Sequence, residues 1–332
     1  MNYLLLSSSC EIKYTSNSEY TRTEDTLRFK QWVKELNMEY LIPKYFYRDS
    51  VICLRRENNW YPHRNGELLT AELQLQMNDS LYYVLCGKKE GDDAFYVDTA
   101  YEIHLILLPK DKYSRETKES SVRSFCFYRS IEDTSSRDDV YYSEFTRSYD
   151  FYSRFFGDTL SRLPMNIVEM GDSQFMLCQS LQDVVIFGHY FYQIYTMIPH
   201  FSWIPHEVAH QWWGNRIFFD YRDYALGESL NEYIKLQFLK SRGVGYEEQM
   251  DYYETMMEHA DKRLKIDDVH SIETMDESIA IYHTAPYSLE QMDSVDVCVA
   301  LKGLYAKYKN YLVNRDMFER ECGILIDWLT HD

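Results

Sequence analysis

Long apolar runs are missing from this 332-residue sequence. The best stretches are Ile103 to Leu108, interrupted by His104, and Val184 to Phe187, far short of the roughly 20 apolar residues that carry a helix across a bilayer. No membrane insertion by this chain is expected. Basic residues are also scarce: 35 Lys and Arg stand against 53 Asp and Glu, a formal net charge of -18, and a surface of that sign repels a polyanionic backbone. Nucleic acid is therefore not an expected partner. Glycine and proline number only 12 and 7, and there is no internal repeat and no Pro- or Ser-rich linker, which excludes low-complexity and disordered chains. The seven cysteines, from Cys10 to Cys322, are scattered, odd in number and never arranged as Cys-x-x-Cys, so neither a disulfide framework nor a thiolate zinc knuckle is expected.

What the sequence does have is aromatic mass, with 31 Tyr, 17 Phe and 6 Trp, the composition of a well-packed globular protein. Leu4 to Leu6, three serines and Cys10 superficially resemble a lipoprotein leader. The basic n-region is missing, and the apolar stretch is well below the usual ~7–15 residues. The expectation is no signal peptide, with the chain either cytoplasmic or a soluble domain of a membrane-associated protein.

From Met1 to about Phe95 alternation dominates. Leu69 to Met77 and, less regularly, Leu81 to Leu85 alternate apolar and polar residues around a turn at Asn78-Asp79, which predicts antiparallel sheet; Asp25 to Leu36 is the one helical signal there. Tyr101 to Leu108 predicts a buried strand ended by Pro109, and Asp111 to Ser124 a polar loop. Between Asp139 and Leu163, Tyr142, Phe145, Tyr149, Tyr152, Phe155 and Phe156 recur at helical spacing, with Pro164 as the stop. Strands are expected at Asn166 to Met170 and Val184 to Phe187. After Phe201 the pattern is helical: Asp223 to Ser241, Tyr246 to Leu264, Gln291 to Tyr308 and Met317 to Trp328. The expected class is α+β, with a β-rich domain over 1–95 and a second domain over 96–332. The α/β part of that domain (96–200) and its helical part (201–332) would meet at an interface able to hold a cleft.

One constellation carries chemistry: His206-Glu207-Val208-Ala209-His210. Histidines at i and i+4 lie one above the other on a helix face, so both imidazoles reach a single metal ion while the intervening glutamate points to the open coordination position. Ser202 can cap this helix, Pro205 is tolerated in its first turn, and Gly214-Asn215 can end it. The five-residue motif is short enough to arise by chance, so a third ligand decides the matter. Glu228 supplies it from the next amphipathic helix, 18 positions after His210, and Glu232, one turn later, is placed to accept a hydrogen bond from the far nitrogen of a metal-bound imidazole. Zinc, one ion, is the expected cofactor. Trp212 and Trp213 are expected to be core beneath the metal helix.

The run His206-Glu-Val-Ala-His-Gln-Trp-Trp-Gly-Asn215, followed by Asp223-Tyr-Ala-Leu-Gly-Glu-Ser-Leu-Asn-Glu-Tyr233, resembles the zinc signature of the aminopeptidase N family of gluzincin metallopeptidases. Asn59-Trp-Tyr-Pro-His63 resembles the end of that family's N-terminal β-domain. The resemblance covers roughly residues 50 to 310. It implies a thermolysin-like catalytic domain, a mixed-sheet subdomain plus a helical one, preceded by a partial antiparallel β-domain. Zinc would be held by His206, His210 and Glu228, with Glu207 as general base. The loop between His210 and Glu228 is one residue shorter than is usual in the family.

The family's amine-binding motif, Gly-x-Met-Glu-Asn, should fall in Phe175 to Val184, but its glutamate is missing. Gln179 and Ser180 stand there as the substrate-binding candidates. Neutral side chains can hydrogen-bond a peptide backbone but cannot neutralise an ammonium group, which puts aminopeptidase specificity in question. These features resemble divergent bacterial members attached to transporter-like membrane proteins. The resemblance also implies an oxyanion-stabilising tyrosine about sixty residues after the zinc glutamate. Tyr287 fits that spacing, with Tyr282 in reserve. The expected function is zinc-dependent hydrolysis of peptide bonds in a peptide or protein substrate; the alternative is an inactive relative that keeps zinc as a staple in an interaction module. Retention of Glu207, which a purely structural site has no use for, favours the first.

Overall fold

The structure is a computed structural model. Within 1–50 it describes the backbone of 2–5, 11–15, 20–22, 26–29, 37–41 and 47–48. Beyond that it describes every residue except 57–59, 62, 64–65, 76–80, 91–93, 134–138, 161–162, 171–177, 189–202, 261–263, 265, 267–268, 270–271, 293–295 and 327–332. The expected Asn78-Asp79 turn and the Ser202 cap lie outside the described residues. Among the described residues no helix is long and apolar enough to cross a membrane.

The chain divides into two compact units, Met1–Ser114 and Arg115–Asp332. The first is built of antiparallel strands. Thr26–Phe29 pairs with both Asn2–Leu5 and Tyr20–Arg22, so the helix expected over Asp25 to Leu36 is a strand at its start. A four-residue stretch is too short for its period to be read, and strand partners on both sides decide its state. Leu69–Gln74 is a strand as its alternation predicts, but it pairs with Ala94–Ala100, while Tyr82–Leu85 pairs with Leu105–Pro109. The strands up to Pro109 thus find their partners in the first unit, which runs past the boundary expected at residue 95.

The second unit holds a mixed five-stranded sheet, whose first strand begins two residues before the unit boundary, in the order Tyr113–Glu119, Ser124–Ser130, Met165–Glu169, Val184–Phe187, Gln179–Leu181. The three middle strands are parallel, and Gln179–Leu181 lies antiparallel at the edge. Tyr113–Glu119 occupies the stretch expected to be a polar loop. It is an edge strand with most of its side chains exposed, so it carries no apolar period to be read. A helix, Asp139–Phe156, connects two of the parallel strands and buries Tyr141, Phe145, Tyr149 and Tyr152 completely, at helical spacing. It stops before Gly157, whose φ of 65° is the left-handed end a glycine permits, and not at Pro164.

Helices make up most of the rest: Trp203–Ala209, Tyr224–Arg242, Tyr246–Met257, Met275–Ile279, Ala285–Glu290, Val297–Tyr308 and Arg315–Cys322, with a π-helical turn over Ala280–Thr284. One apolar core joins sheet and helices, running from Phe125 and Phe187 through Trp212 and Leu230 to Leu301 and Phe318.

Candidate metal centre

Two helices build the site. The shorter, Trp203–Ala209, carries His206 and Glu207 and ends in a turn that holds His210. It is anchored from two sides: Tyr152 Oη donates to the Pro205 carbonyl (3.0 Å), and Asn231 Nδ2 donates to the His206 carbonyl (2.9 Å). Trp212 and Trp213 are fully buried beneath it, as core. Gly214 closes the turn at a φ of 127°, and a Cβ there would sit 3.0 Å from His210 Nδ1, so glycine is what lets the backbone pass the imidazole. The longer helix, Tyr224–Arg242, buries Leu226, Leu230, Ile234 and Phe238 and presents Glu228 and Glu232.

Both imidazoles are oriented by their Nδ1 atoms. His206 Nδ1 donates to Glu232 Oε2 (2.7 Å), and His210 Nδ1 donates to the Trp213 carbonyl (3.0 Å). Each ring therefore turns Nε2 inward, where its lone pair becomes available to a metal ion that displaces the proton. The two Nε2 atoms lie 3.1 Å apart, His206 Nε2 is 3.3 Å from Glu228 Oε2, and His210 Nε2 is 3.5 Å from Glu228 Oε1. A tetrahedral zinc with bonds of about 2.0–2.1 Å spaces its ligands about 3.3–3.4 Å apart, so these three atoms span one face of such a tetrahedron. Two nitrogens and a carboxylate oxygen are also the donor set zinc accepts, and the residues fit the ion. Among the described residues this is the one His/Cys/Asp/Glu group close enough to hold a metal.

The cluster is strongly acidic for a buried place. Burial opposes the charge on His206, but Glu228 and Glu232 outweigh it and push its pKa up to about 10. Burial likewise opposes ionisation of Glu228 and Glu232; the histidines beside the first, and Lys235 and His206 beside the second, hold both well below the usual carboxylate range. Glu207, only 8% exposed, moves the other way: burial dominates and raises its pKa.

Of the two candidate tyrosines, Tyr282 is the one at the cluster. Its hydroxyl donates to Glu228 Oε2 (3.1 Å), its ring lies 5.8 Å from that of His206, and Tyr224 Oη is 3.4 Å away. Tyr287, favoured on spacing, is instead held by Glu254, to which its hydroxyl donates (2.7 Å). The π-helical turn over Ala280–Thr284 widens the helix and changes which side of the segment faces the His206–His210–Glu228 cluster, a feature that counting along the chain does not reveal. The Ser180 hydroxyl accepts from Gln211 Nε2 (2.7 Å) and Asn215 Nδ2 (3.4 Å), which ties the edge strand to the turn after the histidine helix. Gln179 is half-buried beside it on the same strand.

No family model and no curated protein matches the sequence. Among solved structures the chain is similar to an M1 zinc metallopeptidase from Deinococcus radiodurans, with a TM-score of 0.69 and 12% identity over 99% of this chain and 85% of that one. A mutant of that enzyme bound to a Tyr-Ser-Ala substrate gives 0.67 and 12% over 98% and 84%. Legionella pneumophila aminopeptidase A in complex with aspartic acid gives 0.70 and 13%, covering all of this chain and 45% of that one. The chain thus has the mixed α/β fold of the M1 zinc metallopeptidases.

Proposed function

We propose that the chain is a zinc-dependent hydrolase of peptide bonds. The observation that carries this is the convergence of His206 Nε2, His210 Nε2 and a Glu228 oxygen on tetrahedral spacing, with the non-ligating Glu207 buried beside them. Bound there, zinc supplies Lewis-acid polarisation of a carbonyl and acidification of water. Glu207 is the group that takes a proton from the attacking water and returns it to the leaving amine, and its raised pKa suits a residue that must do both. Tyr282 is poised to turn its hydroxyl from Glu228 toward a developing oxyanion. Gln179, on an edge strand, offers hydrogen bonds to a peptide backbone and no charge for a terminal amine. A peptide or protein is the substrate class this favours, in line with the tripeptide bound by the Deinococcus enzyme.

Metal analysis joined to a scan of N-blocked and N-free peptides, with and without chelator, tests the reading. The expected result is one zinc per chain, cleavage that chelator abolishes, and blocked peptides cut at least as well as free ones. A purified chain without zinc would overturn it, and zinc without any cleavage would point to the metal as a staple. Substituting the tyrosines separates their roles: Tyr282→Phe is expected to lower kcat about 10²–10³-fold with zinc retained, while Tyr287→Phe stays near wild type.

A further inference from the structure

Behind His206 the polar groups continue inward. Glu232 receives His206 Nδ1 on one oxygen, Oε2 (2.7 Å), and two buried donors on the other. Tyr253 Oη, from the neighbouring helix Tyr246–Met257, donates to Oε1 (2.6 Å), and Lys235 Nζ forms a short bond to the same atom. Lys235 is only 4% exposed and Tyr253 is completely buried. Gln249 Oε1 lies 3.4 Å from the ammonium, which also sits 5.8 Å from the centre of the Tyr253 ring. A lysine buried this deeply costs stability unless it is paired, and burial does lower its pKa. Its one carboxylate partner here is the group that orients a metal ligand.

We propose that Lys235 and Tyr253 are positioning residues of the metal site, pinning one oxygen of Glu232 so that the other holds His206 with Nε2 turned to the zinc. The inference rests on the zinc reading above. A carboxylate held by one imidazole alone can rotate about its terminal bond and trade oxygens. With two donors from two helices on Oε1, that rotation is blocked, and the imidazole keeps a single orientation. Simple electrostatics makes the opposite prediction, because removing a cation from the neighbourhood of a dication should tighten zinc binding.

Zinc affinity, measured by competition with a chromophoric chelator at one pH and without any substrate, separates the two. Lys235→Met and Tyr253→Phe are each expected to weaken zinc binding about 10-fold, the low end for partners that orient a metal ligand. In a Glu232→Gln background neither should have a further effect, since both act through that carboxylate. Unchanged or tighter binding in the single variants, or effects that add to Glu232→Gln, would overturn the proposal and leave the zinc reading standing. Absence of zinc from the wild-type chain would remove both. Should Lys235→Met fail to fold, Tyr253→Phe, which deletes only a hydroxyl, carries the comparison.

Discussion

Glu207→Gln is expected to keep its zinc and lose hydrolysis by about 10²–10⁴-fold, the range a positioned acid-base group contributes. The substitution preserves volume and removes the ability to take up a proton. Glu207 is not among the three residues whose ligand atoms converge, so zinc content should stay at the wild-type value. The fold should tolerate the change, because burial opposes the charge of Glu207 and outweighs the support that His206 and His210 give it. Measured kcat/KM beside zinc content by atomic absorption decides the matter. Turnover within a few-fold of wild type would remove Glu207 from the reaction, and loss of zinc would make it a ligand.

The chemistry was legible in the sequence to the extent that it depends on helical spacing. His206 and His210 at i and i+4, and Glu228 and Glu232 at i and i+4 on the next helix, are set by backbone periodicity alone, and the structure brings all four side chains together. Glu144 and Glu290 on other helices show why spacing was not the whole argument: carboxylates just as buried pair with Arg242 and Lys240, away from the two histidines. Tyr282 was harder to find because a π-helical turn breaks the count along the chain. Lys235 and Tyr253 left no pattern, since one reads as a solvated position of an amphipathic helix and the other as one aromatic among many. Long-range pairing was the least legible part of the fold. Leu69–Gln74 and Tyr82–Leu85 pair not with each other but with strands further along the chain, and the exposed edge strand Tyr113–Glu119 has no apolar face to announce it.

Trp212→Ala should be the most destabilising of the substitutions considered. The indole is fully buried two residues after His210, packed against Tyr149 (4.8 Å between ring centres), Tyr152 (5.9 Å) and Phe156 (6.2 Å). Its Nε1 donates to the Asp158 carbonyl (2.8 Å), and Tyr305 Oη donates to the carboxylate of the same Asp158 (2.6 Å). Truncation to alanine opens a cavity between three aromatic rings and leaves that carbonyl unpaired, at a cost of about 3–5 kcal/mol. For a unit of this size, that corresponds to a fall in Tm of roughly 6–20 °C. The comparison belongs in chelator, so that lost metal binding does not add to the difference. Trp212→Phe keeps a ring in place and gives up the Nε1 bond, which should cost about 1–3 kcal/mol. If the alanine variant melted within a degree or two of wild type, the aromatic cluster would not be what supports the metal turn. The backbone bonds around it, Arg216 N and Ile217 N to the Trp212 carbonyl, would then have to hold His210 in place without the indole.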